Sequence, residues 1–149
     1  MSMTPFDWAF VTCAIVFFYA TTGVFISFAR GHRGLLRSFG IVMLSLAIPL
    51  VIVLVNYIIV GQELWVIALL LLILFYLLLE LLLDFVFHVE FRRRTVTHVP
   101  YIVLYYATSF SFVGIAFHLD EILGWLVTVS FWTALAGLVY SYRSRMKRA

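Results

Sequence analysis

The chain has 149 residues, 65% hydrophobic and 11% charged, with a mean hydropathy of +1.13. Soluble domains are about half apolar and a quarter charged, so a water-soluble globule is excluded. The net charge of +3 does not indicate nucleic acid, because the ten Lys and Arg sit in three short clusters between apolar blocks; one cysteine excludes a disulfide framework or a multi-cysteine metal site.

The chain opens on Thr4-Pro5-Phe6-Asp7, which reads as a helix start: Thr as N-cap, Pro in the first turn, Asp at the positive dipole end. It lacks the basic segment that begins a cleaved signal peptide. A helix crossing the hydrocarbon core needs about 20 mostly apolar residues, and five stretches qualify: 8–29, 38–60, 64–89, 99–117 and 122–142. Backbone groups cannot be left unpaired in lipid, and these runs do not alternate as barrel strands would, so the spans are helices. The sequence therefore predicts an all-α integral membrane protein whose residues 1–149 form one transmembrane domain. No internal repeat or second domain interrupts it, which speaks against a transporter of two repeated halves.

Charge orients the five spans. Arg30, Arg33 and Arg37 follow the first span, Arg92, Arg93 and Arg94 the third, and Arg143, Arg145, Lys147 and Arg148 the fifth, so every base falls on one side. The opposite ends carry Asp7, Glu63, Asp120 and Glu121. The positive-inside rule then places the N-terminus outside and the C-terminus in the cytoplasm of a cell (inner) membrane. The basic loops, Arg92 to Arg94 above all, are expected to meet anionic lipid headgroups of the cytoplasmic face. Trp8, Trp65, Trp125, Tyr101 and Tyr142 near span ends read as interfacial anchors.

Chemistry concentrates on the third span. Tyr76, Glu80, Asp84 and His88 are four apart and share one helical face among Leu, Ile, Phe and Val. Taking Tyr76 as mid-span, Glu80 lies ~6 Å and Asp84 ~12 Å toward the cytoplasm. A central acid costs about 2.5–3.5 kcal/mol on insertion scales, and two acids one turn apart repel if both ionise. No Lys or Arg lies within a span. Three resolutions follow: an acid stays protonated, a bound cation screens the pair, or Arg30 or Arg92 to Arg94 reaches back. The first two imply proton or cation handling; the third is architectural.

Other spans add polarity. Pro49 in the second span cannot bond the Ser45 carbonyl and should kink the helix; the freed carbonyl serves either an ion path or a neighbouring helix. Asn56 reads as interhelical glue or part of a path. Tyr101, Tyr105 and Ser109 form a four-spaced stripe that could face Glu80 and Asp84, and Tyr19, Thr22, Gly23 and Ser27 a similar one on the first span. Asp84, His88 and His98 would together suit a transition metal, although no HExxH or paired Glu-x-x-His motif is present.

These features support a small proton- or cation-handling transporter or channel, working as a homo-oligomer, with Glu80, Asp84, His88 and Tyr76 as its ion site. The alternatives are an accessory subunit of a larger membrane complex, and a membrane enzyme acting on a lipid or isoprenoid-like substrate, with or without a bound metal. Nucleotide-binding and hydrolase motifs are absent, which weighs against the enzyme. The orientation is testable with Cys13 replaced by Ala: an impermeant maleimide on intact cells should label Gln62→Cys and not Lys147→Cys. The reverse pattern would invert the topology.

Overall fold

The computed structural model describes residues 3–83 and 95–147, the side chains of residues 95–98 and 145 excepted. Within them the chain forms six helices: α1 (Pro5–Arg30), α2 (Arg33–Ser45), α3 (Ala47–Val60), α4 (Leu64–Leu81), α5 (Thr95–Leu119) and α6 (Glu121–Met146). No strand occurs among the described residues. α2 and α3 together make one span, so five helical stretches are long and apolar enough to cross a membrane.

Local chemistry sets the boundaries. Thr4 and Asp7 cap α1 reciprocally: the Asp7 amide donates to Thr4 Oγ1 at 3.3 Å and the Thr4 amide to Asp7 Oδ2 at 2.8 Å. α1 and α3 end on Gly31 and Gly61, both at positive φ (76° and 75°), where the following amide reaches back to close the last turn. The reversal at Gly31 is so tight that α2 begins at Arg33. Residues 33–37, read from the sequence as loop, are helical, with Arg33 and Arg37 exposed. Pro49 acts where expected, by ending one helix and starting another: it lacks the N–H that the Ser45 carbonyl needs, and the Leu46 amide turns back to the Met43 carbonyl at 3.2 Å. Pro49 then sits in the first turn of α3, where no donor is required. Asp120 caps α6 by accepting from the Ile122 and Leu123 amides at 2.9 and 3.2 Å. The third span was expected to run to residue 89; α4 is described to Leu81, and residues 84–94 lie outside the described part.

Packing fixes the helix directions. α1 and α6 run parallel, since Phe18 meets Phe131 (ring centroids 5.6 Å) and Thr22 meets Gly137 further along. A Cβ on Gly137 would lie 3.1 Å from Thr22 Cγ2, so glycine lets these two helices approach closely. α4 and α5 are antiparallel: Trp65 contacts His118 at 4.9 Å and Tyr76 contacts Tyr101 at 5.9 Å. The ends of α1 and α6 and the starts of α2 and α5 therefore share one end, the basic end. Asp7, Glu63, Asp120 and Glu121 mark the opposite, acidic end.

Toward the acidic end the interior is aromatic and solid. Phe10, Phe17, Phe18 and Phe112 are fully buried, and Phe17 and Phe112 pack at 4.9 Å. The outward faces are apolar too, with Ile52 and Ile59 on α3, Phe110 on α5 and Trp132 on α6 exposed. Such surfaces are out of place in water and compatible with a lipid surround.

One buried polar tie crosses the acidic half: Tyr57 of α3 donates to Asp7 Oδ1 at 2.9 Å, with Asp7 only 8% exposed. Interhelical hydrogen bonds in membranes contribute about 0.5–1.7 kcal/mol, so Tyr57→Phe should lower unfolding stability in detergent by that amount. An unchanged unfolding midpoint would show that the tie contributes nothing.

Candidate functional site

α4 and α5 cross so that two four-residue stripes meet. On α4, Tyr76 and Glu80 lie one turn apart on the buried face, 1% and 6% exposed. On α5, Tyr101 and Tyr105 are spaced the same way. The Tyr101 hydroxyl donates to Glu80 Oε2 at 2.6 Å and lies 3.0 Å from the Tyr76 hydroxyl. Tyr101 has one hydroxyl proton, and Glu80 takes it. Tyr101 must then accept from Tyr76, which makes a directed row from Tyr76 through Tyr101 to Glu80. Hydrogen bonds in series polarise one another, more strongly in an apolar interior.

The row borders a cavity of about 170 Å³ in the basic half of the bundle, to which all five spans contribute. Thr21, Phe25 and Phe28 come from α1, Met43 from α2 just before the break, and Ser141 from α6. The broken span thus touches the cavity through Met43, whose sulfur lies 3.7 Å from the Thr21 hydroxyl oxygen. Phe17 backs the site, with its ring 6.1 Å from Tyr76 and 6.4 Å from Tyr105. The cavity is partly open, with the exposed Ile102 and Tyr142 on its rim.

Tyr105 differs from its neighbours. It is 6% exposed and lines the cavity, yet its hydroxyl has no hydrogen-bond partner among the described residues, and neither does the Thr108 hydroxyl one turn along. Ser109 does not supply the missing donor, because its hydroxyl hydrogen goes to the Tyr105 carbonyl at 2.9 Å.

The remaining candidates separate. Ser109 is buried but not part of the cavity wall, and neither are Pro49 and Asn56, which lie half-buried on α3. Tyr19 points away from the interior at 54% exposure. The α1 residues at the cavity are Thr21, Val24, Phe25 and Phe28 instead, a helical face rotated from the hydroxyl stripe chosen from sequence. Arg30 is exposed at the end of α1. Asp84, His88 and Arg92 to Arg94 lie outside the described residues, and His98 is described only as backbone within α5. The metal set of Asp84, His88 and His98 and the Arg92–Arg94 headgroup site therefore lie outside the described part.

Sequence reasoning missed the aromatic wall of Phe25, Phe28 and Tyr106, together with Met43 and Ser141. Rings on an apolar helix give no contrast with the lipid-facing residues around them. Compared with known proteins, the chain matches no family model, no curated protein and no solved structure, so the site is argued from its own residues.

The two tyrosines should respond differently to loss of the hydroxyl. Tyr101→Phe strands the Tyr76 hydroxyl and removes a donor to Glu80, costing about 1–3 kcal/mol. Tyr105→Phe removes a hydroxyl with no partner and should change stability by less than about 0.5 kcal/mol. Unfolding in detergent measures both, and equal losses would contradict the hydrogen-bond assignment.

Proposed function

We propose that the protein is an integral membrane protein, N-terminus outside and C-terminus cytoplasmic, that moves protons or small cations through a site centred on Glu80. The observation that carries this reading is the row of hydroxyls ending on a buried carboxyl beside a cavity. The row suits proton transfer. A proton entering from cavity water at Tyr76 lets that hydroxyl pass its own proton to Tyr101, and Tyr101 passes its proton to Glu80. Each tyrosine gains one proton and loses one, so Glu80 alone is changed. Ionisable groups in the apolar part of a membrane protein mark such pathways by default.

Other features support the same reading. A span broken next to the site gives a bundle an element that can rearrange, and broken helices frame the binding sites of many transporters. The aromatic packing toward the acidic end closes that side, so the cavity is served from the basic, cytoplasmic half. Glu80 would hold the proton or cation, Tyr76 and Tyr101 would deliver it, and Asp84 and His88 would extend the stripe toward the cytoplasm. A homo-oligomer remains part of the proposal, with each chain carrying its own site.

The test is proton uptake driven by a pH gradient into liposomes containing the purified chain. Glu80→Gln keeps size and hydrogen-bonding capacity but cannot ionise, and it should reduce uptake at least about tenfold, the range over which a positioned proton-transfer group acts. Uptake equal to wild type would remove the proposal.

A further inference from the structure

The mouth of the cavity stands at the depth where lipid headgroups give way to acyl chains. Ile102 of α5 and Tyr142 of α6 line it and are exposed, at 37% and 68%. Ile102 lies one turn inside the span that begins at Val99, and Tyr142 lies two residues before the end of the span that closes at Ser144. Tyrosines at span ends sit at the membrane interface. From the mouth the cavity runs inward along the helices. On α1 its lining extends from Phe28 back to Thr21, about 10 Å of helix. The same face of α5 continues from Ile102 through Tyr106 to the exposed Phe110. A guest longer than the cavity therefore leaves it over apolar surface.

The wall and the rim select the guest in two steps. Phe25, Phe28, Ile102, Tyr106 and Leu138 make most of the lining apolar. Deeper polar groups are engaged within the bundle: Thr21 donates to the Phe17 carbonyl at 2.8 Å, and Tyr101 donates to Glu80. An empty apolar void forfeits the dispersion contacts of its walls, and an acyl chain restores them. Lipid tails are as apolar as this wall, so burial alone does not choose among lipids. Charge at the mouth does. Arg30 follows Phe28 by two residues and Arg143 follows Tyr142 by one, and both are exposed. The described acids other than Glu80 stand at the opposite end of the bundle. An anionic headgroup complements this rim.

We propose that the cavity seats one acyl chain of an anionic phospholipid, whose phosphate lies at Arg30 and Arg143. The cavity measures about 170 Å³, and a cavity of about 150 Å³ holds the six carbons of benzene. About six or seven carbons of the chain are therefore inside. The arginines hold the phosphate through charge-assisted hydrogen bonds. A seated chain takes the space from which water reaches Tyr76, so under the Glu80 reading it also closes the proton path. The lipid site itself does not depend on that reading.

The experiment is photolabelling of the full chain in phosphatidylcholine liposomes by a trace of phosphatidylglycerol carrying a diazirine at about the sixth carbon of one chain. Phosphatidylcholine with the same diazirine chain is the comparison. Peptide mapping should place the phosphatidylglycerol label on the wall at Phe25, Phe28 and Leu138, at least about tenfold above the phosphatidylcholine label. Two arginines near an anionic headgroup, at about fivefold each, supply that preference. Arg143→Gln, a change at an exposed position, should lower the ratio about fivefold. Leu138→Trp puts a larger ring into the cavity and should cut wall labelling severalfold, with labelling of the exposed Ile52 and Ile59 on α3 unchanged. Equal wall labelling by the two lipids overturns the anionic headgroup. Label confined to the outer faces, or Leu138→Trp labelled like wild type, overturns the cavity as the seat. None of these readouts uses proton uptake, so the lipid site and the Glu80 reading fail separately.

Discussion

A carboxyl group buried in an apolar bundle is tolerable only if its oxygens are met, and the hydrogen bond from Tyr101 to Glu80 Oε2 meets part of that demand. An unpaired polar group in an apolar interior costs several kcal/mol, comparable to a large part of the stability of a small bundle. The bond also sets register. Tyr101 can reach Glu80 and Tyr76 together only if α4 and α5 cross with those turns level, and this same register brings Tyr105 to the cavity and Trp65 to His118 at the other end.

The bundle around this contact is solid in one half and hollow in the other. Toward the acidic end, Phe10, Phe17, Phe18 and Phe112 fill the interior and the Tyr57–Asp7 hydrogen bond fastens α3 to the start of α1. Toward the basic end, the wall is made of rings that stand around a space instead of filling it. Gly137 lets α6 approach α1 closely beside the cavity, and the break at Leu46 divides the second span next to it. These local choices of glycine, proline and phenylalanine leave a largely aromatic chamber with the Glu80 carboxyl on its wall.

Much of this could be read from the residues. Apolar run lengths are a strong signal, and the five expected spans fall on the five long helices, the third over its described part to Leu81. Thr4, Pro5, Asp7 and Pro49 carried local rules that operate largely independently of tertiary contacts, which is why the cap and the helix break stand where those rules put them. Spacing also picked out Tyr76, Glu80, Tyr101 and Tyr105, because polar residues stand out on an apolar helix.

Rotation and partnership were harder to read. A helix apolar on every side gives no amphipathic phase, so nothing in α1 distinguished the face of Thr21, Phe25 and Phe28 from that of Tyr19 and Thr22. Nor could the Asp7–Tyr57 pair be seen, since fifty residues separate its members and each has an adequate local explanation as a cap or an interfacial ring. The start of α2 at Arg33 was hidden by charge: arginines at a membrane surface resemble loop, although Leu35 and Leu36 continue a helix.

The central claim is that Glu80 exchanges protons with the cavity, and infrared difference spectroscopy of the reconstituted protein across a pH step tests it most directly. The account predicts a carboxyl band that changes with pH, disappears in Glu80→Gln and shifts in Tyr101→Phe. A spectrum in which no carboxyl band assignable to Glu80 responds to pH would contradict it and leave Glu80 with a purely architectural part.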